Sequence, residues 1–271
     1  MTLHPAVALS GVDAITLDFG NTLVPVNRDA FRGAVGRTAV AVADRLGLSG
    51  PAPFLAAWSA ERERQFREDV PDFREVQLPQ RARRVLASLR GMTVPGAHER
   101  WDDEAASALS DAVEIDMVVG AYADAFVAAI TPPPEGRALL EHLDSRGFRV
   151  AILSNWPLAT IVDRVAAAAG WLPFLDGIHV SERLGTIKPH PAIFGHAAAA
   201  LGCEPGRILH VGDDWAADVV GAAGAGWRSA YLRDHQADTP LPVSAPDTNV
   251  IPDLELDWLA DLPAHVVDPS P

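Results

Sequence analysis

The stretch Ala14–Leu23 reads AITLDFGNTL and decides the fold. Its first part is a short apolar run, which predicts a buried strand over Ala14–Leu17. Asp18 follows at the point where this strand ends. In parallel sheets the chemistry lies at the carboxyl ends of the strands. Asp18 is therefore the first candidate for a functional residue.

Further apolar runs predict more strands, and helical patterns alternate with them. The strands are expected at Arg149–Leu153, Gly177–Val180, Ile208–Val211 and Ser229–Leu232, with a short sixth at Asn249–Ile251. The helices are expected at Gly136–Arg146, Pro157–Ala169, Ala192–Leu201 and Trp215–Ala225. Such alternation is typical of a parallel sheet covered on both faces, so the predicted fold class is α/β.

Residues 28–130 interrupt this alternation, because they show helical periodicity and no clear strand. Helices are expected at Arg28–Leu46, Ala52–Glu68, Gln77–Leu89 and Asp102–Ile130, with breaks around Pro71 and at Gly91–Gly96. Three prolines after Thr131 mark the return to the sheet. The predicted organisation is an α/β core of residues 1–27 and 131–271, with an all-helical cap domain of residues 28–130 inserted into it.

Charge and cysteine content restrict the classes of function. The formal net charge is −14, so the chain is expected to repel nucleic acid and anionic membranes. Cys203 is the only cysteine, which excludes an internal disulfide and a thiolate metal cluster. Residues 1–11 lack the pattern of a signal peptide, and no apolar stretch is long enough to span a bilayer. We expect a cytoplasmic protein with no nucleic-acid or membrane partner.

Lys188 stands out because it is the only lysine among 22 basic residues. Arginine supplies every other positive side chain, so a lysine here indicates a need that arginine does not meet. A lysine ammonium is a compact point charge, whereas a guanidinium is a planar fork. Lys188 lies in the loop Gly185–Pro189, just before a predicted helix.

Polar side chains follow several of the predicted strands and are expected to meet at one edge of the sheet. They are Asp18, Asn21 and Thr22, then Ser154 and Asn155, then Asp213, Asp214 and Asp218. Asp18 and Asp213 together offer the oxygen ligands that Mg²⁺ prefers. Asp18 is also a candidate nucleophile towards phosphorus, with Lys188 and Ser154 binding the transferring group. Asp213 and Asp214 are also suited to capping the helix expected near Trp215, a role that is compatible with metal binding.

These segments together resemble the haloacid dehalogenase superfamily of hydrolases, in its helical-cap type. The resemblance rests on Ile15–Leu23, on Ala151–Asn155, on Lys188-Pro189 with Ile193-Phe194, and on His210–Asp214 with Asp218 and Gly221-Ala222. The four segments occur in the family's order, with room for a cap between the first and the second. The resemblance implies a Rossmann-like core with five central parallel strands.

The resemblance also implies roles in catalysis and substrate binding. Asp18 corresponds to the nucleophile, Ser154 to the phosphate-binding hydroxyl, and Lys188 to the charge that steadies nucleophile and phosphate. Substrate binding is assigned to the polar residues around them, namely Ser154, Asn155, Lys188, Asn21 and Thr22.

The cofactor that the resemblance implies is Mg²⁺. Asp18 and Asp213 correspond to side-chain ligands, and the backbone carbonyl of Gly20 corresponds to a third ligand. Asp214 or Asp218 supports or completes the metal shell, and the sequence leaves open which of the two does so.

Gly20 departs from the family pattern. Phosphatases of the family carry a second Asp at this position, which protonates the leaving oxygen and then deprotonates the attacking water. Such general acid–base help contributes about 10²–10⁴ in rate. A hydroxyl leaving group is therefore expected to depart slowly. Hydrolysis of an acyl phosphate, or of another substrate with a good leaving group, is expected to be slowed less.

The predicted function is hydrolysis of a small phosphorylated metabolite through an aspartyl-phosphate on Asp18. Two alternatives stay open: a weakened catalyst kept as a binding or regulatory protein, and a 2-haloacid dehalogenase-like hydrolase that attacks carbon without metal. Asp213 and Asp214 count against the second, because such dehalogenases lack an acidic metal ligand there. Phosphonate cleavage would need a lysine in the cap, and Lys188 is the only lysine of the chain.

Overall fold

The computed structural model describes residues 8–233, 238–246 and 249–269. Within these ranges the chain divides into two compact units. The sheet unit consists of the described parts of residues 1–27 and 130–271, and the helical unit is Arg28–Ala129.

The sheet unit is built on a parallel sheet that has six strands within the described ranges, in the order β3-β2-β1-β4-β5-β6. The strands are β1 Ala14–Leu17, β2 Arg149–Ser154, β3 Gly177–Val180, β4 Ile208–Gly212, β5 Arg228–Leu232 and β6 Leu254–Leu256. Their continuous apolar runs reflect burial on both faces of the sheet. Strand β1 is central and pairs with β2 on one side and β4 on the other. This order brings the residues after β2 and β4 next to Asp18.

Helices connect these strands and cover the sheet. They are α6 Pro134–Ser145, α7 Ala159–Ala168, α8 Ser181–Leu184, α9 Pro191–Leu201, a π-helical turn Trp215–Val220, and α10 Gly221–Gly224. Their numbers follow those of the five α-helices of the helical unit, which are given below. Helix α9 shows how the layers pack, because Ile193 and Phe194 lie in one buried cluster with Ala151 and Leu153 of β2. The α/β fold predicted from the sequence is confirmed.

Two predicted elements of the sheet unit are wrong. The sixth strand lies at Leu254–Leu256 and pairs with β5, and not at Asn249–Ile251. The apolar signal misleads there because Ile251 is 86% exposed and so has no core to face. The single helix predicted from Trp215 is a π-helical turn followed by a short α-helix.

The helical unit contains α1 Arg28–Leu46, α2 Ala52–Glu68, α3 Leu78–Leu89, α4 Asp103–Ala108 and α5 Ala112–Val127. Its core includes an aromatic cluster in which Trp58 stacks on Phe54 and Tyr122 stacks on Phe126. The long helix predicted over Asp102–Ile130 is wrong, because Asp111 starts a new helix. Its side chain accepts from the N–H of Glu114, and the Glu114 side chain returns to the N–H of Asp111.

Candidate active site

Asp18 lies at the end of the central strand β1 and is held by Lys188. The Lys188 Nζ atom is 2.9 Å from Asp18 Oδ1, 2.7 Å from Asp218 Oδ1 and 2.8 Å from the carbonyl oxygen of Leu153. These three acceptors match the three N–H donors of an ammonium group. The only lysine of the chain is therefore a buried and fully hydrogen-bonded cation that fixes the Asp18 carboxylate.

Burial and ion pairing act in opposite directions on the pKa values of these groups. Burial raises the pKa of Asp18, and the charge of Lys188 opposes that shift. Burial lowers the pKa of Lys188, but Asp18 and Asp218 outweigh it and raise the pKa above its ordinary value. Burial also acts to raise the pKa of Asp218, yet Lys188 and His210 hold it below its usual range. Lys188 and Asp218 are therefore both charged at neutral pH.

Asp213 completes a cluster of three carboxylates. Oxygen atoms of Asp18, Asp213 and Asp218 lie within 4.8 Å of one another. Asn21 Nδ2 and Thr22 Oγ1 each donate to an oxygen of Asp213 over 3.3 Å. Burial, followed by the charges of Asp18 and Asp218, raises the pKa of Asp213 to about 8. The cluster thus concentrates more negative charge than one ammonium balances.

Ser154 ends β2 and Asn155 follows it, and the two side chains make different contacts. Ser154 Oγ is close enough to Asp18 to influence its pKa, but this buried oxygen makes no hydrogen bond of ordinary geometry within the described residues. Asn155 Nδ2 donates to the carbonyl of Lys188 over 3.0 Å, and Asn155 Oδ1 accepts the Lys188 N–H over 2.7 Å. Asn155 therefore positions the Lys188 loop, whereas the Ser154 hydroxyl takes no part in holding that loop.

The structure does not bring Asp214 into the carboxylate cluster. Asp214 Oδ1 accepts from the N–H of Ala217 at 2.7 Å and from Ser244 Oγ at 2.9 Å, and Oδ2 accepts from the N–H of Ser244 at 2.8 Å. Asp214 thus caps the π-helical turn and anchors residues 238–246. Asp218 lies in the cluster, but its Oδ2 accepts the N–H of Asp214 at 2.9 Å. Both oxygens of Asp218 are therefore engaged inside the protein.

Gly20 lies in the turn after β1, where an added side chain would meet Leu241 and Trp156 unless the Leu241 side chain shifts. A Cβ atom there would lie 2.7 Å from Leu241 Cδ1 and 3.2 Å from the ring of Trp156. Leu241 belongs to residues 238–246, where Thr239 Oγ1 accepts from Asn21 Nδ2 at 3.0 Å. Asn21 has φ +58, a left-handed conformation that asparagine tolerates better than most residues. An apolar side chain therefore fills the space in which an acid at position 20 would begin.

His210 belongs to this site, and the sequence analysis missed it. Its Nδ1 is 2.8 Å from Thr16 Oγ1, and its Nε2 is 3.0 Å from Asp218 Oδ1. Burial and the charge of Lys188 lower the pKa of His210, so the imidazole is neutral. Nε2–H therefore donates to Asp218, and the Thr16 hydroxyl donates to Nδ1. The sequence did hold a signal, because His210 lies inside the apolar run of β4, a strand buried on both faces, where a polar side chain needs a hydrogen-bond partner.

Known proteins resemble this chain in sequence. The model of the haloacid dehalogenase-like hydrolase family matches residues 12–226, which include Asp18, Ser154, Lys188, Asp213 and Asp218. A glyceraldehyde 3-phosphate phosphatase of Methanopyrus kandleri is 31% identical over 53% of this chain and 60% of its own length. Phosphatase MT3486 of Mycobacterium tuberculosis is 29% identical over 64% of this chain and 80% of its own length. The chain thus spans about three fifths of the length of the first of these relatives.

A solved structure extends the likeness over both units. The 2-haloacid dehalogenase from Pseudomonas syringae pv. Tomato DC3000 is 25% identical, with a TM-score of 0.64, and the match covers 93% of this chain and 96% of that one. No helix in the described ranges combines the length and the hydropathy of a membrane span.

Proposed function

The chain belongs to the haloacid dehalogenase-like hydrolase family, and on that premise we propose that it is a Mg²⁺-dependent phosphatase of a small phosphorylated metabolite. The observation that carries the proposal is the Asp18–Lys188 pair, which lies beside two further carboxylates. The unpartnered Ser154 hydroxyl supports it, because a buried polar atom without a partner costs about 1–3 kcal/mol and so favours a ligand oxygen. The phosphatases among the relatives support the reaction class.

The residues present fit a divalent cation. Three carboxylates face one ammonium, so the ionised cluster holds two unbalanced negative charges, and the raised pKa of Asp213 reflects this excess. We assign Asp18 and Asp213 as the side-chain ligands, with the Gly20 carbonyl as the proposed backbone ligand. Asp218 is assigned to positioning Lys188, because N–H donors occupy both of its oxygens. When bound, Mg²⁺ would neutralise charge on the phosphoryl oxygens.

The proposed reaction has two steps that use Asp18. Lys188 holds Asp18 by Oδ1, and the other carboxylate oxygen attacks phosphorus, while the bond from phosphorus to the leaving oxygen breaks and the leaving group takes the electron pair. Ser154 Oγ donates to a phosphoryl oxygen in this step. Water then attacks phosphorus, the Asp18 carboxylate leaves, and phosphate departs with the oxygen and hydrogens of that water.

The packing at Gly20 narrows the substrate class. Gly20 has no side chain, so position 20 supplies no proton to the leaving oxygen, and Leu241 and Trp156 occupy the space beside it. A carboxylate or another stable anion leaves without a proton, whereas an alkoxide does not. We therefore propose acyl phosphates, or phosphoesters with similarly acidic leaving groups, as the preferred substrates.

The likeness to a solved 2-haloacid dehalogenase gives a second candidate, hydrolysis at carbon. Asp213 weighs against it, because a metal-free attack on carbon has no use for an additional buried carboxylate beside the nucleophile.

A substrate panel tests these candidates. It contains acyl phosphates, alkyl phosphates and 2-chloropropionate, each with Mg²⁺ or with a chelator, for the native chain and for Asp18→Asn. We expect phosphate release that needs Mg²⁺ and falls at least about 10³-fold in Asp18→Asn. Halide release in chelator would establish the carbon chemistry. Absence of turnover across the panel would favour a binding protein.

A further inference from the structure

A series of buried hydrogen bonds connects the central strand to the nucleophile. Thr16 and His210 are register partners in the β1–β4 pair, and Thr16 Oγ1 is 2.8 Å from His210 Nδ1. His210 Nε2 is 3.0 Å from Asp218 Oδ1, and the same oxygen accepts from Lys188 Nζ at 2.7 Å. Lys188 Nζ also donates to Asp18 Oδ1 at 2.9 Å. The series therefore runs from Thr16 to the Asp18 carboxylate, and His210 lies in the middle of it.

The geometry fixes which nitrogen of His210 carries the proton. A carboxylate oxygen offers only lone pairs, so the 3.0 Å separation between Nε2 and Asp218 Oδ1 requires a proton on Nε2. Nδ1 then has a free lone pair, which accepts from the Thr16 hydroxyl. Lys188 Nζ lies 3.4 Å from Nε2, but its three N–H groups have nearer acceptors. His210 is therefore a donor to Asp218 and not an acceptor from Lys188.

Packing holds both partners of this hydrogen bond in place. Phe194 of α9 meets the His210 ring in an edge-to-face contact, with ring centroids 5.8 Å apart and planes at 86°. Asp218 lies so close to Gly212 that a Cβ atom there would overlap its carboxylate. Its Oδ2 accepts the N–H of Asp214 at 2.9 Å. The imidazole and the carboxylate are thus each held from two sides.

Lys188 is shared between two carboxylates, and His210 acts on one of them. Asp218 Oδ1 receives a second donor from His210, which offsets part of the negative charge of that oxygen. Electrostatic interactions are strong in the protein interior, so this donor weakens the attraction of Asp218 for the ammonium. Without the donor, a buried lone pair of Asp218 would lack a partner and would draw Lys188 towards itself. The contact between Lys188 and Asp18 would then be the one that lengthens.

We propose that His210 is a positioning residue, which acts through Asp218 to keep the Lys188 ammonium on the Asp18 carboxylate. It touches no reacting atom in this role, and it neither gives nor takes a proton during the reaction. Its effect on turnover rests on the proposed function, whereas its effect on Lys188 does not.

The sole lysine of the chain provides a way to observe this effect directly. The full chain, labelled with nitrogen-15 at the lysine Nζ, gives a single ammonium signal in a proton–nitrogen correlation spectrum. The position of that signal, and its rate of proton exchange with water, report on the three hydrogen bonds of Lys188. The measurement needs neither substrate nor metal.

Two variants of nearly equal size separate hydrogen-bond donation from the filling of space. His210→Gln keeps an N–H donor near the position of Nε2, whereas His210→Met has a similar length and no donor. His179→Asn is the control for the loss of a buried histidine from the same sheet, because His179 lies on β3 and its Nε2 has no hydrogen-bond partner within the described residues. If His210→Met does not fold, His210→Asn replaces it, since its amide ends near the position of Nδ1 and stops short of Asp218.

The Lys188 signal should change only where the donor is lost. In His210→Met we expect a displaced signal and proton exchange at least about tenfold faster than in the native chain, because a hydrogen bond to a charged group is weakened. His210→Gln and His179→Asn should keep the native signal position. An unchanged signal in His210→Met, or an equal displacement in His210→Gln, overturns the proposal.

Steady-state kinetics then connect the state of Lys188 to the reaction. With a phosphorylated substrate, His210→Met should lower kcat about 10–100-fold with little change in KM, because a displaced nucleophile slows the chemical step more than binding. His210→Gln should recover most of this loss. A fall in kcat with a native Lys188 signal contradicts positioning through Lys188. A displaced Lys188 signal in a chain that releases no phosphate supports the positioning and overturns the proposed function alone.

Discussion

Lys188 in the sheet unit and Arg81 in the helical unit are both buried cations, 2% and 3% exposed, but they are neutralised differently. Lys188 contacts two carboxylates and a carbonyl oxygen, whereas Arg81 contacts one amide oxygen and an aromatic ring. A buried charge is tolerated when it is paired and hydrogen-bonded, and it is costly when it is not. The difference teaches that carboxylates neutralise Lys188 by direct contact, which fixes the Asp18 carboxylate, whereas Arg81 is held by an amide and an aromatic ring.

The largest effect is expected from removing the compensated cation. Lys188→Met leaves Asp18 and Asp218 buried without their counter-charge, so kcat/KM should fall at least about 10³-fold. The free energy of unfolding should fall by about 3–5 kcal/mol, because one partner of a buried pair is lost. Steady-state kinetics and urea unfolding measure the two effects. Lys188→Arg is the control, because it keeps the positive charge but replaces the compact ammonium with a planar guanidinium. Turnover of Lys188→Met within tenfold of the native chain would contradict this role of Lys188.

The second largest effect is the pH dependence expected from Asp213, the carboxylate of the cluster that Lys188 does not contact. The folded pKa of Asp213, about 8, exceeds its unfolded value of about 3.9. The protonated form therefore contributes stability that is fully present below about pH 4 and is lost as the pH rises to about 8. Mg²⁺ binds the ionised form, so its apparent affinity should weaken about tenfold per pH unit below this pKa.

Urea unfolding at pH 6 and pH 8, with and without Mg²⁺, checks this prediction. The stabilisation by Mg²⁺ should be larger at pH 8 and absent in Asp213→Asn. Asp214→Asn is the matched control, because Asp214 caps the π-helical turn and lies outside the cluster. Equal stabilisation at both pH values, or its survival in Asp213→Asn, would argue against Asp213 as a metal ligand.

The smallest effect tests the space at Gly20. Gly20→Asp alone should change turnover of alkyl phosphates less than tenfold, because Leu241 obstructs the new side chain. Adding Leu241→Ala makes room, and the double variant should gain about 10²-fold on alkyl phosphates through general acid catalysis. Little gain is expected on acyl phosphates. Kinetics of the single and double variants measure the gain, and a single variant as fast as the double would show that Leu241 is no obstacle.

The strands that carry the site could be predicted from sequence patterns, and the reason is physical. Strands β1, β2 and β4 are buried on both faces, so they read as apolar runs, and the polar residue that ends each run marks the sheet edge. Because β1 lies between β2 and β4, Asp18, Ser154 and Asp213 were expected to lie close together, and the structure places them so.

Other features depend on contacts between distant parts of the chain, which periodicity does not encode. Leu241 reaches Gly20 from a segment without regular structure, and nothing in its neighbourhood marks it as part of a site. The different positions of Asp214 and Asp218 follow from the π-helical turn between them, whose geometry differs from the α-helix expected there. Arg81 resembles the other arginines of α2 and α3 in sequence, and only the partners of each side chain distinguish it.

The most direct test of the account is the covalent state of Asp18 during turnover. The chain is mixed with an acyl phosphate and Mg²⁺, quenched in acid and digested, and the peptide that contains Asp18 is weighed by mass spectrometry. We predict that this peptide gains the mass of one phosphoryl group in the native chain, loses it on treatment with hydroxylamine, and gains nothing in Asp18→Asn. Phosphate release without any modified peptide, or with the phosphoryl group on another residue, would contradict Asp18 as the nucleophile.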